Sequence, residues 1–225
     1  MTEKSIINMS LDYYYDNPTK IILDENLLNN DLISNIDFDI IKLINSLNPN
    51  TQNNNIKKFN KKNFNPLLFR LIANNQKDKL SSILKNNEEN LDINIQDKDG
   101  DTPLHIAVFL CNLDIIKILI NHGASIKIKD KWGQTAIHRL YFCMNDVQTI
   151  KIIELFCINK ANFNQKDNFG NTVLHLALKQ IIKLEIKLND NHYKFINKLK
   201  SLISIDIKNN ENISIKDLLK MINYI

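Results

Sequence analysis

Three of the five histidines, set at repeating positions, and all three cysteines are the residues of this 225-residue chain that could do chemistry. His105, His138 and His175 stand 33 and 37 residues apart (138 − 105 and 175 − 138). Zinc would be the metal for such a set, but zinc needs ligands converging tetrahedrally at about 2.0–2.3 Å, normally supplied by closely spaced pairs. Histidines one period apart fall on successive layers of a repeat and form a file, so no metal and no other cofactor is expected. His122 and His192 lie outside the series and are expected at the surface. The cysteines, Cys111, Cys143 and Cys157, are odd in number and include no Cys-x-x-Cys pair, which predicts reduced, structural thiols in a cytosolic setting. Cys111 and Cys157 sit in apolar helical contexts that raise a thiol pKa and lower its reactivity. Cys143 is expected to be more exposed, with no activating base beside it. The chain holds no phosphate-cradling glycine loop, Gly-x-Ser-x-Gly elbow or His-Glu-x-x-His motif. No catalytic residue is expected, and the chain does not read as an enzyme.

The spacing is itself the stronger signal. Asp97, Gly100, Thr102 and His105 recur as Asp130, Gly133, Thr135 and His138, and again as Asp167, Gly170, Thr172 and His175. The glycines fall in short polar turns that require positive φ. The threonines are placed to cap the helices that follow, each hydroxyl accepting an orphaned N–H. Pro103 fits a first helical turn, where its missing N–H costs nothing. Leu104, Ile106 and Ala107 give an apolar face, and Ile115, Ile116, Ile118, Leu119 and Ile120 a second helix closed by Gly123 as a left-handed cap. The chain has only four glycines, and all four occupy these positions.

A 33-residue period carrying Thr102-Pro103-Leu104-His105 resembles the ankyrin repeat. The resemblance implies an all-α solenoid of helix-turn-helix units with short β-hairpin-like turns. It also implies that His105, His138 and His175 hold the junction between turn and helix by hydrogen bonds. The array is expected over residues 64–225, in units of about 64–96, 97–129, 130–166 and 167–208 with a degenerate cap at 209–225. In the first unit Asn65-Pro66-Leu67-Leu68 reads as a capped helix start, Leu80–Leu84 as a second helix and Leu91–Ile95 as a strand-like approach. The unit at 130 departs from the pattern: Ala136 replaces the proline, Leu140 the small alanine and Lys160 the cap glycine. Four extra residues near Met144–Thr149 belong between its helices. In the next unit, helices are expected over about 172–188 and 191–204. In the last, Asn212 replaces glycine and Ser214 threonine ahead of a helix over Ile215–Ile222.

Before the array, residues 1–47 read as an acidic amphipathic helical segment and 48–63 as an Asn/Lys-rich linker. Eight acids against three lysines give residues 1–47 a charge of −5, so with a total of +4 the remainder carries +9. Lysines elsewhere alternate with Asp and Glu as on a solvated surface, which argues against nucleic acid. No apolar run reaches the ~18–20 residues that would span a bilayer, and Met1–Lys4 does not open a secretory signal. A monomeric protein of the cytoplasm, with access to the nucleus, is expected, and its partner is another protein. The fold places Asp99, Trp132, Phe169 and Glu211 at the tips of exposed fingers. Exposed aromatics there would be binding hot spots, joined by Lys98, Lys131 and the first-helix residue Arg139. By the resemblance, the function is non-catalytic recognition through a concave face. The array is similar, in Asp97–Thr102, to the inhibitor-of-NF-κB type, which suggests competitive inhibition of signalling. The alternative is an adaptor that recruits substrates to a ubiquitin ligase.

Overall fold

Apolar residues at helical spacing, cut by left-handed turn residues, give pairs of short helices that must bury one face against neighbours. The computed structural model describes residues 61–86 and 91–224. The acidic segment 1–47 and the linker as far as residue 60 lie outside them. Eight α-helices and one 3-10 helix are described: α1 (Lys61–Ala73), α2 (Lys77–Asn86), α3 (Pro103–Phe109), α4 (Leu113–Asn121), the 3-10 helix Ala136–Cys143, α5 (Thr149–Ile158), α6 (Val173–Lys183), α7 (Asp190–Lys200) and α8 (Ile215–Met221).

These form two layers. The first helices of successive units pack in a row, α1 on α3, α3 on the 3-10 helix, that helix on α6, and α6 on α8. The second helices make the other row, α2 on α4, α4 on α5 and α5 on α7. One apolar core runs through the stack from Leu67 to Leu219. No unit could bury this face alone, which is why stacked neighbours supply the stability of such a fold. The all-α repeat architecture expected from the sequence is what forms.

Several boundaries differ from the expectation. α1 begins at Lys61, inside the stretch read as linker. Residues 91–95 make a turn closed by the Ile95 N–H donating to Asp92 O at 3.1 Å, not a strand-like approach. α6 stops at Lys183 because Glu185 turns left-handed, φ 51°, and reverses the chain. The first helix of the unit at 130 is wound as a 3-10 helix, and the four extra residues follow it as a turn. Lys160 takes the place of the cap glycine at φ 59°.

The cysteine expectation is corrected. Cys111 and Cys143 form a disulfide, with Cα atoms 5.6 Å apart. Cys111 is not in a helix; it occupies the left-handed turn after α3, φ 55°. Cys143 ends the 3-10 helix of the next unit and is wholly buried. Stacking sets the two positions at one level of adjacent units. Cys157 is a free, half-buried thiol.

Candidate functional site

The connections between units are four fingers of one design, and sequence explains each bond. In the first, Asp97 Oδ1 accepts the N–H groups of Asp99 and Asp101, both at 2.9 Å. Asp130 does the same for Trp132 and Gln134, Asp167 for Phe169 and Asn171, and Asn209 for Glu211 and Ile213. A short side-chain acceptor satisfying N–H groups two and four residues on is what Asp and Asn do best in turns. Each finger then needs positive φ at its fourth residue: 81° at Gly100 and 62° at Asn212. A Cβ on Gly100 would stand 2.9 Å from the backbone nitrogen of Lys131 in the next finger. Glycine here therefore serves both the turn and the stacking.

The fingers are bonded to each other by main chain. The N–H of Lys131 donates to Asp99 O at 3.0 Å, that of Asn168 to Trp132 O at 2.9 Å, and that of Asn210 to Phe169 O at 3.0 Å. A second line of bonds comes from the histidines, and those of His105 and His175 cross between units. The Nδ1 atoms of His105, His138 and His175 accept the N–H of Thr102, Thr135 and Thr172 at 3.1, 3.1 and 3.3 Å. Their Nε2 atoms therefore carry the proton and donate to Gln134 O, Gln165 O and Ile213 O at 3.1, 3.0 and 3.3 Å. At Thr102 the hydroxyl also accepts the N–H of His105, at 3.4 Å. At Thr135 and Thr172 the hydroxyl meets the ring, 3.0 Å from Nδ1 in both cases, and this contact secures the junction. Each ring thus bonds to the residue that opens its own helix and to a carbonyl farther along the chain. Both ring nitrogens are engaged in each, and burial lowers all three pKa values to about 4. The rings are neutral near pH 7.

Beneath the central fingers lies a buried ionic cluster. Arg139 donates to Asp101 at 2.8 Å and to Asp130 at 2.7 Å, and all three side chains are almost wholly covered. Burial pushes the Asp130 carboxyl up to about 6, against the opposing pull of Arg139. Burial likewise disfavours the Arg139 charge, but the two carboxylates outweigh it and raise its pKa.

These facts sort the fingertip residues. Arg139 is not a surface contact: it sits where the other units have Ile106 and Leu176, and its charge is consumed by Asp101 and Asp130. Trp132 is not an exposed ring. It is 6% exposed, with Lys131 Nζ 4.4 Å and the Arg139 guanidinium 5.6 Å from its centroid. A ring flanked by two cations gains more by folding back than by standing in water. Asp99 is mostly covered and paired with Lys131. Glu211 accepts from the buried Lys179 at 2.6 Å. Phe169, Lys98 and Lys131 do face solvent.

Three further residues not among the expected contacts, Lys129, Lys166 and Lys208, are exposed immediately before the anchoring Asp or Asn of their fingers. The repeated Lys-Asp, Lys-Asp, Lys-Asn step was visible in the sequence. His192 is also corrected. It is buried at the start of α7, where its N–H donates to Asn189 Oδ1 at 3.2 Å. His122 is half-buried, its Nδ1 2.8 Å from Ile118 O. No helix among the described residues is long and apolar enough to cross a membrane.

Residues 32–130 match the model of the ankyrin-repeat family, in three copies. The match begins ahead of residue 64, within the stretch outside the described residues. Among similar proteins are the putative ankyrin repeat protein FPV228 of fowlpox virus (33% identical over 124 residues, 49% of this chain and 23% of the relative) and a second fowlpox protein, FPV034 (29% over 142 residues, 63% and 30%). A third is the probable 26S proteasome regulatory subunit p28 of Saccharomyces cerevisiae (38% over 90 residues, 40% and 38%). The chain thus spans less than two-fifths of the length of these relatives.

Proposed function

This chain is an ankyrin-repeat protein, and from that premise we propose that it is a non-catalytic recognition module that binds a partner protein along its finger edge and the adjoining concave face. Ankyrin repeats are a protein–protein interaction fold, and the observation that carries the reading is the bonding of finger to finger by main chain. Four loops held in common register present side chains on a rigid support, so little conformational entropy is lost on binding. Phe169, Lys98 and Lys131 supply contacts, while Asp99, Trp132 and Arg139 hold the fingers in shape beneath them. A module of this kind acts by occupying its partner's surface, as a competitive inhibitor of signalling does. It works as a monomer in the cytoplasm, with access to the nucleus. There the Cys111–Cys143 bond would form and break with redox state, since cytosolic disulfides are seldom permanent.

The test is affinity capture on the intact chain and on Phe169→Ala/Lys131→Ala, with circular dichroism verifying the fold of both. Partners captured by the first and lost, or weakened about tenfold, by the second support the site. If both chains retain every partner, the edge is not the binding surface. The likeness to a proteasome subunit favours a second reading, an adaptor that brings clients to a ubiquitin ligase or the degradation machinery. Co-capture of ligase or proteasome subunits, in stoichiometric amounts, would select it.

A further inference from the structure

We propose that the finger edge selects an acidic, extended segment of its partner, a specification that rests on the interaction reading above. Charge is separated within each finger. The anchoring acids point inward: Asp97 is half-buried, Asp130 and Asp167 are buried, and each is held by two backbone N–H groups. Asp130 is also neutralised by Arg139, and Glu211 by Lys179. The lysines of the same loops, Lys98, Lys127, Lys129, Lys131, Lys166 and Lys208, are all exposed, Lys131 while paired with Asp99, and Lys166 and Lys208 while donating to Lys208 O and Asn212 Oδ1. Against them the fingers expose Asp92 and Asp206, at the two ends of the row. The formal charges nearly cancel, yet what solvent meets along the edge is positive.

The geometry also fixes the shape of the ligand. The tip-to-tip bonds hold the lysine-bearing loops at the pitch of the helix layers, about 8–10 Å. A segment in the extended polyproline-II form advances about 3.1 Å per residue and turns once in three, so an acidic side chain at every third position would face the edge and meet one finger each. Phe169, between Lys166 and the fourth finger, offers an apolar contact within the row, and an aromatic beside cations is what interface hot spots favour. Charge complementarity of this kind sets partner choice and association rate more than total affinity.

The experiment is fluorescence anisotropy on the full chain with a labelled 15-residue peptide carrying Glu at every third position in a Gly/Ser background. Binding is expected, weakening steeply with salt. Lys129→Glu/Lys166→Glu/Lys208→Glu should weaken it at least tenfold. Lys117→Glu/Lys151→Glu/Lys194→Glu, an equal charge change on exposed second-helix positions, should leave it within twofold. Equal losses in the two variants, no peptide binding at low salt, or tighter binding of an oligothymidylate of the same charge would each overturn the proposal. So would a gain of tenfold or more on neutralising the eight acids of residues 1–47 in the full chain, because the occupant would then be the chain itself. A natural partner that survives the finger reversal sinks the acidic specification and leaves the interaction reading standing. A chain that captures no protein at all sinks both.

Discussion

The second finger, around Asp130, and the fourth, around Asn209, have the same backbone and opposite electrostatics. Both close with an N–H bonded four residues on, from Asp130 to Gln134 O at 2.8 Å and from Asn209 to Ile213 O at 3.0 Å. The second is anchored by a buried carboxylate and therefore needs a buried cation, which Arg139 supplies. The fourth is anchored by an amide, which needs hydrogen bonds but no counterion; Asn209 Nδ2 donates to Asn171 Oδ1 at 3.0 Å. Its nearby ion pair, Lys179 with Glu211, leaves the acid 26% exposed. The lesson is that the finger requires an acceptor at its first position and is indifferent to charge there. A buried charge, once chosen, dictates its neighbours.

Arg139→Met puts this contrast to its severest test. It strands Asp101 and Asp130 without a counterion and should cost about 3–5 kcal/mol. Lys179→Met leaves Glu211 able to rehydrate and should cost less than about 1 kcal/mol. Urea melts of both variants decide it, and equal losses would break the comparison. Reduction probes the second finger from the other side of its unit. Opening the Cys111–Cys143 bond, which spans a sequence separation of 32, should lower stability by about 3–4 kcal/mol on the chain-entropy account. Melting with and without reductant measures this, and an unchanged Tm would show that the bond contributes nothing.

Acid should act on both regions, through the buried histidine bonds. His105, His138 and His175 have folded pKa values of about 4 against an ordinary 6.5. For a histidine buried as the neutral ring, stability is full above pH 6.5 and is lost as pH falls from 6.5 towards 4, by about 1.4 kcal/mol per pH unit for each proton. Asp130, raised to about 6 from 3.8, works in the opposite sense between those values. Burial also raises Asp97 and Asp167. Three histidines moved by about 2.5 (6.5 − 4) outweigh Asp130, moved by about 2, and the lesser rises of Asp97 and Asp167, so Tm should fall across this window. A Tm that rises or stays flat from pH 6.5 to 4.5 would refute this assignment of protons.

The smallest effects sharpen the comparison at the turn residue. Gly170→Ala forces a Cβ to within 2.7 Å of the backbone nitrogen of Asn210 at φ 78° and should cost about 1–3 kcal/mol. Asn212→Gly, at φ 62° in the fourth finger, should change stability by less than about 1 kcal/mol, since asparagine already tolerates this conformation. A large loss there would mean that the Asn212 side chain, which accepts from Lys208 Nζ at 3.1 Å, matters more than its backbone.

What could be read from the sequence was whatever a backbone constraint forces on residue type. Glycine or asparagine at positive φ, threonine with histidine three residues on, and proline opening a helix marked out the units and even the decayed turn at Asn209–Ser214. Side-chain direction was less legible because one type can serve two ends. Trp132 at a fingertip suits a partner as well as it suits Lys131 and Arg139. Two signals were present and went unread. Arg139 stands where other units have Ile106 and Leu176, and a charge in an apolar register announces a buried partner. Cys111 and Cys143 stand 32 residues apart, one short of the 33-residue period, which sets them close together on successive layers. The 3-10 winding of Ala136–Cys143 had no such marker, since its residues are no less helical by type than those of α6.

The tip-to-tip bonds separate the length of a repeat from its pitch. Equivalent finger residues are 33, 37 and 42 positions apart (130 − 97, 167 − 130 and 209 − 167), yet the same main-chain bond joins each pair of neighbours. The additional residues of the second and third intervals lie in the helices and in the turns that join them, as at 144–149 and in the longer α6 and α7, away from the edge. Such a chain can acquire or shed residues at one margin while the other keeps its register. Loop variation in its lineage is then free to proceed without renegotiating what the fingers hold.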